Sequence, residues 1–298
     1  MRILVAIDSS DPSQAVIEEV AARPWPKGAN ICVLNVVESG LLGNPLSLIT
    51  AEAASLLEMA TDAARTLADA GAKRIAIPGI STSTAVVQGH PGIDIAEYAK
   101  EWGADLVIVG SHGRSGLTRL LLGSVARTII RHAPCSVEIV RPRTRRDSGG
   151  MKILLATDGS AYSIAAAQSL AERPWPRGTE VKIVGVVEVT PLLVEPFYID
   201  PALAQSLIDE QVKQVQEAVS NAQQIISRAH LKTSSTTPFG AATRIILEQV
   251  DEWGADLVVV GSHGRQAAER LLIGSVSESV AIHAPCSVEV IRRKTARQ

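Results

Sequence analysis

The chain is written twice, and that limits its folds more than any other feature. VGSHGRSGLTRLLLGSV at Val109–Val125 returns as VGSHGRQAAERLLIGSV at Val260–Val276. ILVAIDSS at Ile3–Ser10 returns as ILLATDGS at Ile153–Ser160, and RPWPKG at Arg23–Gly28 as RPWPRG at Arg173–Gly178. HAPCSVEIV at His132–Val140 returns as HAPCSVEVI at His283–Ile291. Asp8 answers Asp158 and Gly113 answers Gly264, so one inserted residue separates two complete copies. A period this long means duplicated domains, not a solenoid of small units. The expected division is domain 1 at residues 1–142, a linker at 143–150 and domain 2 at residues 151–294. RPRTRRDSGG, Arg141–Gly150, carries a proline, five charges and a Gly-Gly end, which reads as a solvated linker.

Within the first copy, short apolar runs alternate with helical spacing. Ile3–Ile7, Ile31–Val37, Ser83–Val87, Leu106–Val109 and Val137–Val140 read as strands. Ser10–Ala22, Leu46–Ala70, Ile93–Trp102 and Val125–His132 read as helices. Arg74–Gly79 fits neither. Apolar strands alternating with helices belong to a parallel sheet covered on both faces. The expected fold class is therefore α/β: two tandem doubly wound domains, each a five-stranded parallel sheet flanked by helices. Aromatics are only 3% of the 298 residues, so the cores must be aliphatic.

In such sheets ligands bind past the carboxyl ends of the strands, where strand order reverses. Asp8 follows the first strand, Val36 and Val37 close the second, and Gly110 follows the fourth. The spacing Gly110, Gly113, Gly123-Ser124 is kept as Gly261, Gly264, Gly274-Ser275, while Ser115–Thr118 between them becomes Gln266–Glu269. Gly110 and Gly113 are expected to bracket a tight turn with outward N–H groups. Gly123-Ser124 is expected to open a helix whose free N–H groups and dipole favour an anion. Ser124 and Ser275 add a hydroxyl; Arg114 and Arg265 add a cation. A polyphosphate suits such a cradle. A plain helix start is the competing reading, since Ser275–Glu278 fits a capping box.

These residues carry a resemblance. The Gly-x2-Gly-x9-Gly-Ser signature, the start ILVAIDSS and the end APCSVEIV resemble the universal stress protein family, in its ATP-binding branch. The resemblance covers both copies almost end to end and implies an adenine nucleotide alpha hydrolase-like fold. It implies ATP with Mg as cofactors. It assigns the phosphates to Gly110, Gly113, Gly123 and Ser124, and to Gly261, Gly264, Gly274 and Ser275. It places Asp8 and Asp158 near the ribose and metal, and gives Val36 and Val186 backbone contact with adenine. It also implies that the last strands of the two domains pair across a two-fold; a homodimer of chains stays open. The segments after strand two differ between copies, as do Gly89-His90-Pro91 and Gly240-Ala241-Ala242, so equal affinity is not expected.

Other readings are weaker. His112 and His263 read as loop histidines bonded to backbone, without a partner set for catalysis. Cys135 and Cys286 read as packed thiols, and a zinc site with His132 and His283 lacks close ligand spacing. Trp25, Trp175, Trp102 and Trp253 read as packing. Asp8 and Asp158 have helix capping as a second use. A slow ATPase or nucleotidyl transferase lacks a P-loop lysine here, and a binder of another adenine nucleotide such as cyclic AMP would need fewer phosphate contacts. No catalytic residue is assigned. Net charge −2 and the absence of long apolar runs argue against nucleic-acid or membrane partners. Three cysteines without a C-x-x-C pair, and a start that reaches Asp8 without a signal-peptide core, fit a cytoplasmic setting.

Overall fold

Strands form where the apolar runs were expected. In the computed structural model the described residues are 1–38, 51–113, 122–142, 150–188, 201–265 and 273–293, less the side chains of residues 51–53 and 201. They fall into two compact units, Met1–Pro142 and Arg143–Gln298.

Unit one runs β1 (Arg2–Ala6), α1 (Asp11–Ala22), β2 (Asn30–Glu38), α2 (Ala51–Arg74), β3 (Ser81–Gly89), α3 (Pro91–Trp102), β4 (Leu106–Gly110), α4 (Ser124–His132) and β5 (Ser136–Val140). Unit two repeats the order: β6 (Lys152–Ala156), α5 (Ala161–Glu172), β7 (Glu180–Val184), α6 (Pro201–Ser227), β8 (Lys232–Thr236), α7 (Ala242–Trp253), β9 (Leu257–Gly261), α8 (Ser275–His283) and β10 (Ser287–Ile291). The strand order is β3-β2-β1-β4-β5 in unit one and β8-β7-β6-β9-β10 in unit two. β1 pairs parallel with both β2 and β4, so the order reverses beside it. β6 lies between β7 and β9 in the same way.

The central strands are buried on both faces, as a parallel sheet between helix layers requires. Ile3, Val5, Val16, Val20, Ile31, Val33 and Ile108 form one aliphatic core, and Ile153, Leu155, Ala167, Leu170, Ile183 and Val259 form the other. Trp25 and Trp175 pack at the ends of α1 and α5 and donate their indole N–H to Val20 O and Leu170 O, each at 2.8 Å.

Several expectations need correction. β2 runs to Glu38, one residue past the expected end at Val37, and pairs with β3 over its whole length, so Val36 lies inside the strand. β7 stops at Val184, and there Val186 does follow the strand. α2 begins at Ala51; the expected start at Leu46 lies outside the described residues. The linker reading was also too long. Arg141 is only 7% exposed, and just before it Ser111 N–H donates to Val140 O at the end of β5. Gly150 packs directly on Gly178, and residues 143–149 lie outside the described residues.

Both units also hold a buried ion pair that the sequence reading missed. Arg23, at the end of α1, makes a two-pronged contact with Glu138 on β5 and bonds Glu19 at 2.8 Å. Arg173 meets Glu289 on β10 at 2.8 Å. The signal was in the repeats: RPW and SVE are kept in both copies, and each buries its charge against the other.

Candidate functional site

The crevice lies past the ends of β1 and β4, and past β6 and β9 in unit two. Each motif glycine has its own physical reason there, and none of the six has a left-handed φ. Space, not a left-handed backbone, is what these positions require. A Cβ at Gly110 would come within 2.8 Å of Pro12 Cβ, and one at Gly261 within 2.7 Å of the Tyr162 carbonyl carbon. These two glycines let the strand end pack against the first turn of α1 and α5. Gly123 and Gly274 lie against the loop, donating N–H to Ser111 O and Ser262 O at 2.8 Å. Gly113 and Gly264 are different. Among the described residues one atom stands near each, Oδ2 of Asp8 at 3.1 Å and of Asp158 at 3.0 Å from a built Cβ. Of the six motif glycines these two, among the described residues, keep a carboxylate and a bare backbone facing each other.

The helix start is where the spacing placed it. Gly123 is the N-cap of α4 and Gly274 that of α8, neither with a side-chain cap bond. This corrects the capping-box reading: Ser275 is the first helical residue, so Glu278 is one position too late to reach back to the cap. Ser277 instead donates to Gly261 O at 2.6 Å. Ser124 and Ser275 are exposed beside free first-turn N–H groups, an arrangement that suits an anion.

Asp8 and Asp158 stand opposite. Asp8 Oδ1 accepts from Ser10 N–H at 3.0 Å, from Ser13 Oγ at 2.7 Å and from Ser10 Oγ. Asp158 Oδ1 accepts from Ser160 N–H at 3.0 Å and its Oδ2 from Arg265 N–H at 2.9 Å. The helix-capping alternative fails: α1 has no side-chain cap bond, and α5 is capped by Ser160. Ser10 and Ser13 are site-shaping residues the sequence reading passed over. Their clue was the serine-rich stretch after Asp8.

Val36 and Val186 reach the same crevice by backbone parity. Ile7 N–H donates to Leu34 O, so residues 34 and 36 turn their polar groups toward β1, and β1 has ended where Val36 lies. Gly185 and Val187 donate to Thr236 O and Pro238 O on the far side, which turns Val186 toward the crevice of unit two. Arg265 is exposed at the loop and donates through its guanidinium to Gln214 Oε1 at 3.1 Å. Arg114 lies outside the described residues.

Each histidine shares its Nδ1 with the neighbouring serine hydroxyl, Ser111 at 3.0 Å and Ser262 at 3.1 Å. Burial and the nearby Arg141 guanidinium push His112 below the usual histidine range, so it is neutral at pH 7. His263 is more enclosed, its ring 4.9 Å from that of Tyr162, where unit one has Pro12. Cys135 and Cys286 are half-buried and Cys32 is fully buried. Among the described residues no group of three or more His, Cys, Asp or Glu could hold a metal. A magnesium ion carried in on phosphate, needing one carboxylate and water, fits Asp8 or Asp158; a resident metal cage does not. No described helix is long and apolar enough to cross a membrane.

Comparison with known proteins gives the same picture at the level of the whole chain. A universal stress protein of Mycolicibacterium smegmatis is 27% identical over 300 residues, covering 97% of this chain and 96% of that protein. One of Methanocaldococcus jannaschii is 31% identical over 142 residues, 48% of this chain and 82% of its own. The crystal structure of a universal stress protein from Archaeoglobus fulgidus shares the fold, with a TM-score of 0.64 at 20% identity, covering 98% of this chain and 96% of that one. The sequence model of the universal stress protein family matches residues 1–141 and again 151–292. With both repeats covered, this chain belongs to the universal stress protein family, in a tandem two-domain form.

Proposed function

We propose that each unit binds ATP, accompanied by magnesium, and that the protein acts as a nucleotide-dependent stress-response or signalling protein. The single observation that carries this reading is the opposition of a bare glycine and a carboxylate at the open end of the crevice. Gly113 faces Asp8, and Gly264 faces Asp158, beside exposed helix starts at Ser124 and Ser275. Phosphate oxygens would lie against the glycine backbone and the first turn of α4 or α8. The ribose and a phosphate-borne magnesium would meet the aspartate, and adenine the backbone of Val36 or Val186. Arg265 supplies a cation at the mouth of the second site. Magnesium would neutralise phosphate charge; the protein groups bind, orient and partly desolvate the nucleotide.

The experiment for nucleotide is direct. Freshly purified protein is denatured, and the released nucleotide is identified by mass and counted per chain, with Mg-ATP then titrated into the emptied protein. Two sites for ATP are the expected result. An empty protein that takes up no Mg-ATP would overturn the reading.

A further inference from the structure

The two crevices are unequal where α6 packs close against unit two. Gly159 and Gly185 permit this, where unit one has Ser9 and Asn35. A Cβ at Gly185 would lie 2.6 Å from Val219 Cγ2 and 2.7 Å from Val215 Cγ1, and one at Gly159 would lie 3.0 Å from Ala218 Cβ. Gly159 also adopts φ +79°, a backbone conformation that Ser9 does not share. In unit one Asn35 fills its place with an amide bonded to Ile7 O at 2.9 Å. The consequence appears one residue before Val215. Gln214 accepts from the Arg265 guanidinium at 3.1 Å and donates its amide N–H to Glu210 Oε1 at 3.1 Å, while Arg265 N–H is held by Asp158 at 2.9 Å. Arg265 is thus fixed at both its backbone and its charged end.

We propose that Gln214 is a positioning residue that holds the Arg265 guanidinium over the phosphates in the second site. This rests on the ATP reading and deepens it. A free arginine loses several rotors when it meets phosphate; one already held loses fewer. The second site then gains affinity and residence time from this contact, and the gain is confined to ligands that carry phosphate.

The test is calorimetry on the full-length chain, emptied of nucleotide, with Mg-ATP and with adenosine. Gln214→Ala removes the acceptor and Gln214→Met removes it while keeping the side-chain length. Both are expected to weaken ATP at one of two sites by roughly five- to ten-fold, with adenosine affinity and melting temperature unchanged. Unchanged ATP affinity in both the Ala and Met variants overturns the role of Gln214. So does an equal loss for adenosine, which would mean a merely structural effect. Wild-type protein that binds no Mg-ATP overturns the nucleotide reading itself, and this role with it.

Discussion

At the scale of single residues, the repeated glycines divide by function. Gly113→Val adds a side chain where, among the described residues, the Asp8 carboxylate alone stands near, so the protein is expected to fold and to lose one of its two proposed ATP equivalents in a calorimetric titration. Gly110→Ala places its Cβ 2.8 Å from Pro12 Cβ, with the Pro12 carbonyl carbon at 3.3 Å. That backbone cannot yield easily, so a loss of about 1–3 kcal/mol in stability is expected, read by urea denaturation. Retention of full stability in Gly110→Ala would show that α1 has room to move away. His112 gives a pH signature with a defined sign. Its folded form resists the proton that the unfolded chain accepts below about pH 6.5. Stability should therefore fall as pH drops through that value and level off below the lowered folded value. Denaturation curves from pH 7.5 to 5 for wild type and His112→Asn should differ by that slope. The motif spacing was legible in the sequence because two copies kept it; the job of each glycine was not, because it depends on which atom stands across the gap.

At the scale of elements, the ends of α1 and α5 are fastened to the last strand of their units by charge. Arg23 and Glu138 are 5% and 0% exposed, and Arg173 and Glu289 are 8% and 1% exposed. Removing one partner leaves a buried charge behind. Arg23→Ala is expected to lower stability by about 3–5 kcal/mol, and replacing both Arg23 and Glu138 by apolar residues of similar size to restore much of it. If the single and double variants unfold at the same denaturant concentration, the pair is not the source. β2 carries a second buried group. Burial raises the Cys32 thiol, and its neighbour Tyr98 is pushed up to about 12, chiefly by burial as well. In native protein at pH 8 a thiol reagent should label Cys135 and Cys286 first, and Cys32 only after denaturant is added. The strand and helix alternation was readable from apolar spacing, whereas the length of β2 was not. Its last residues, Val36 to Glu38, pair with Val87 to Gly89, and that partner lies beyond α2 in the chain.

At the scale of the whole molecule, the chain is two similar units with unequal crevices. Ligand at a hundred times its dissociation constant adds about 2.7 kcal/mol to the unit that binds it. Saturating Mg-ATP should therefore raise both thermal transitions of the wild type, and only the unit-two transition of Gly113→Val. A shift of both in that variant would mean the units respond as one. The sequence by itself determined the duplication, the α/β class, the strand and helix order and the positions of the candidate phosphate loops. Those depend on periodicity and on which residues two copies retain, and both are local properties of the chain. Only the tertiary structure decided that Asp8 is held by Ser10 and Ser13, that Arg23 meets Glu138, and that Gln214 holds Arg265. Arg23 and Glu138 are 115 positions apart, and Gln214 and Arg265 are 51 apart. Their meeting depends on how closely a helix can approach a sheet, a distance that glycines such as Gly159 and Gly185 set through the side chains they lack.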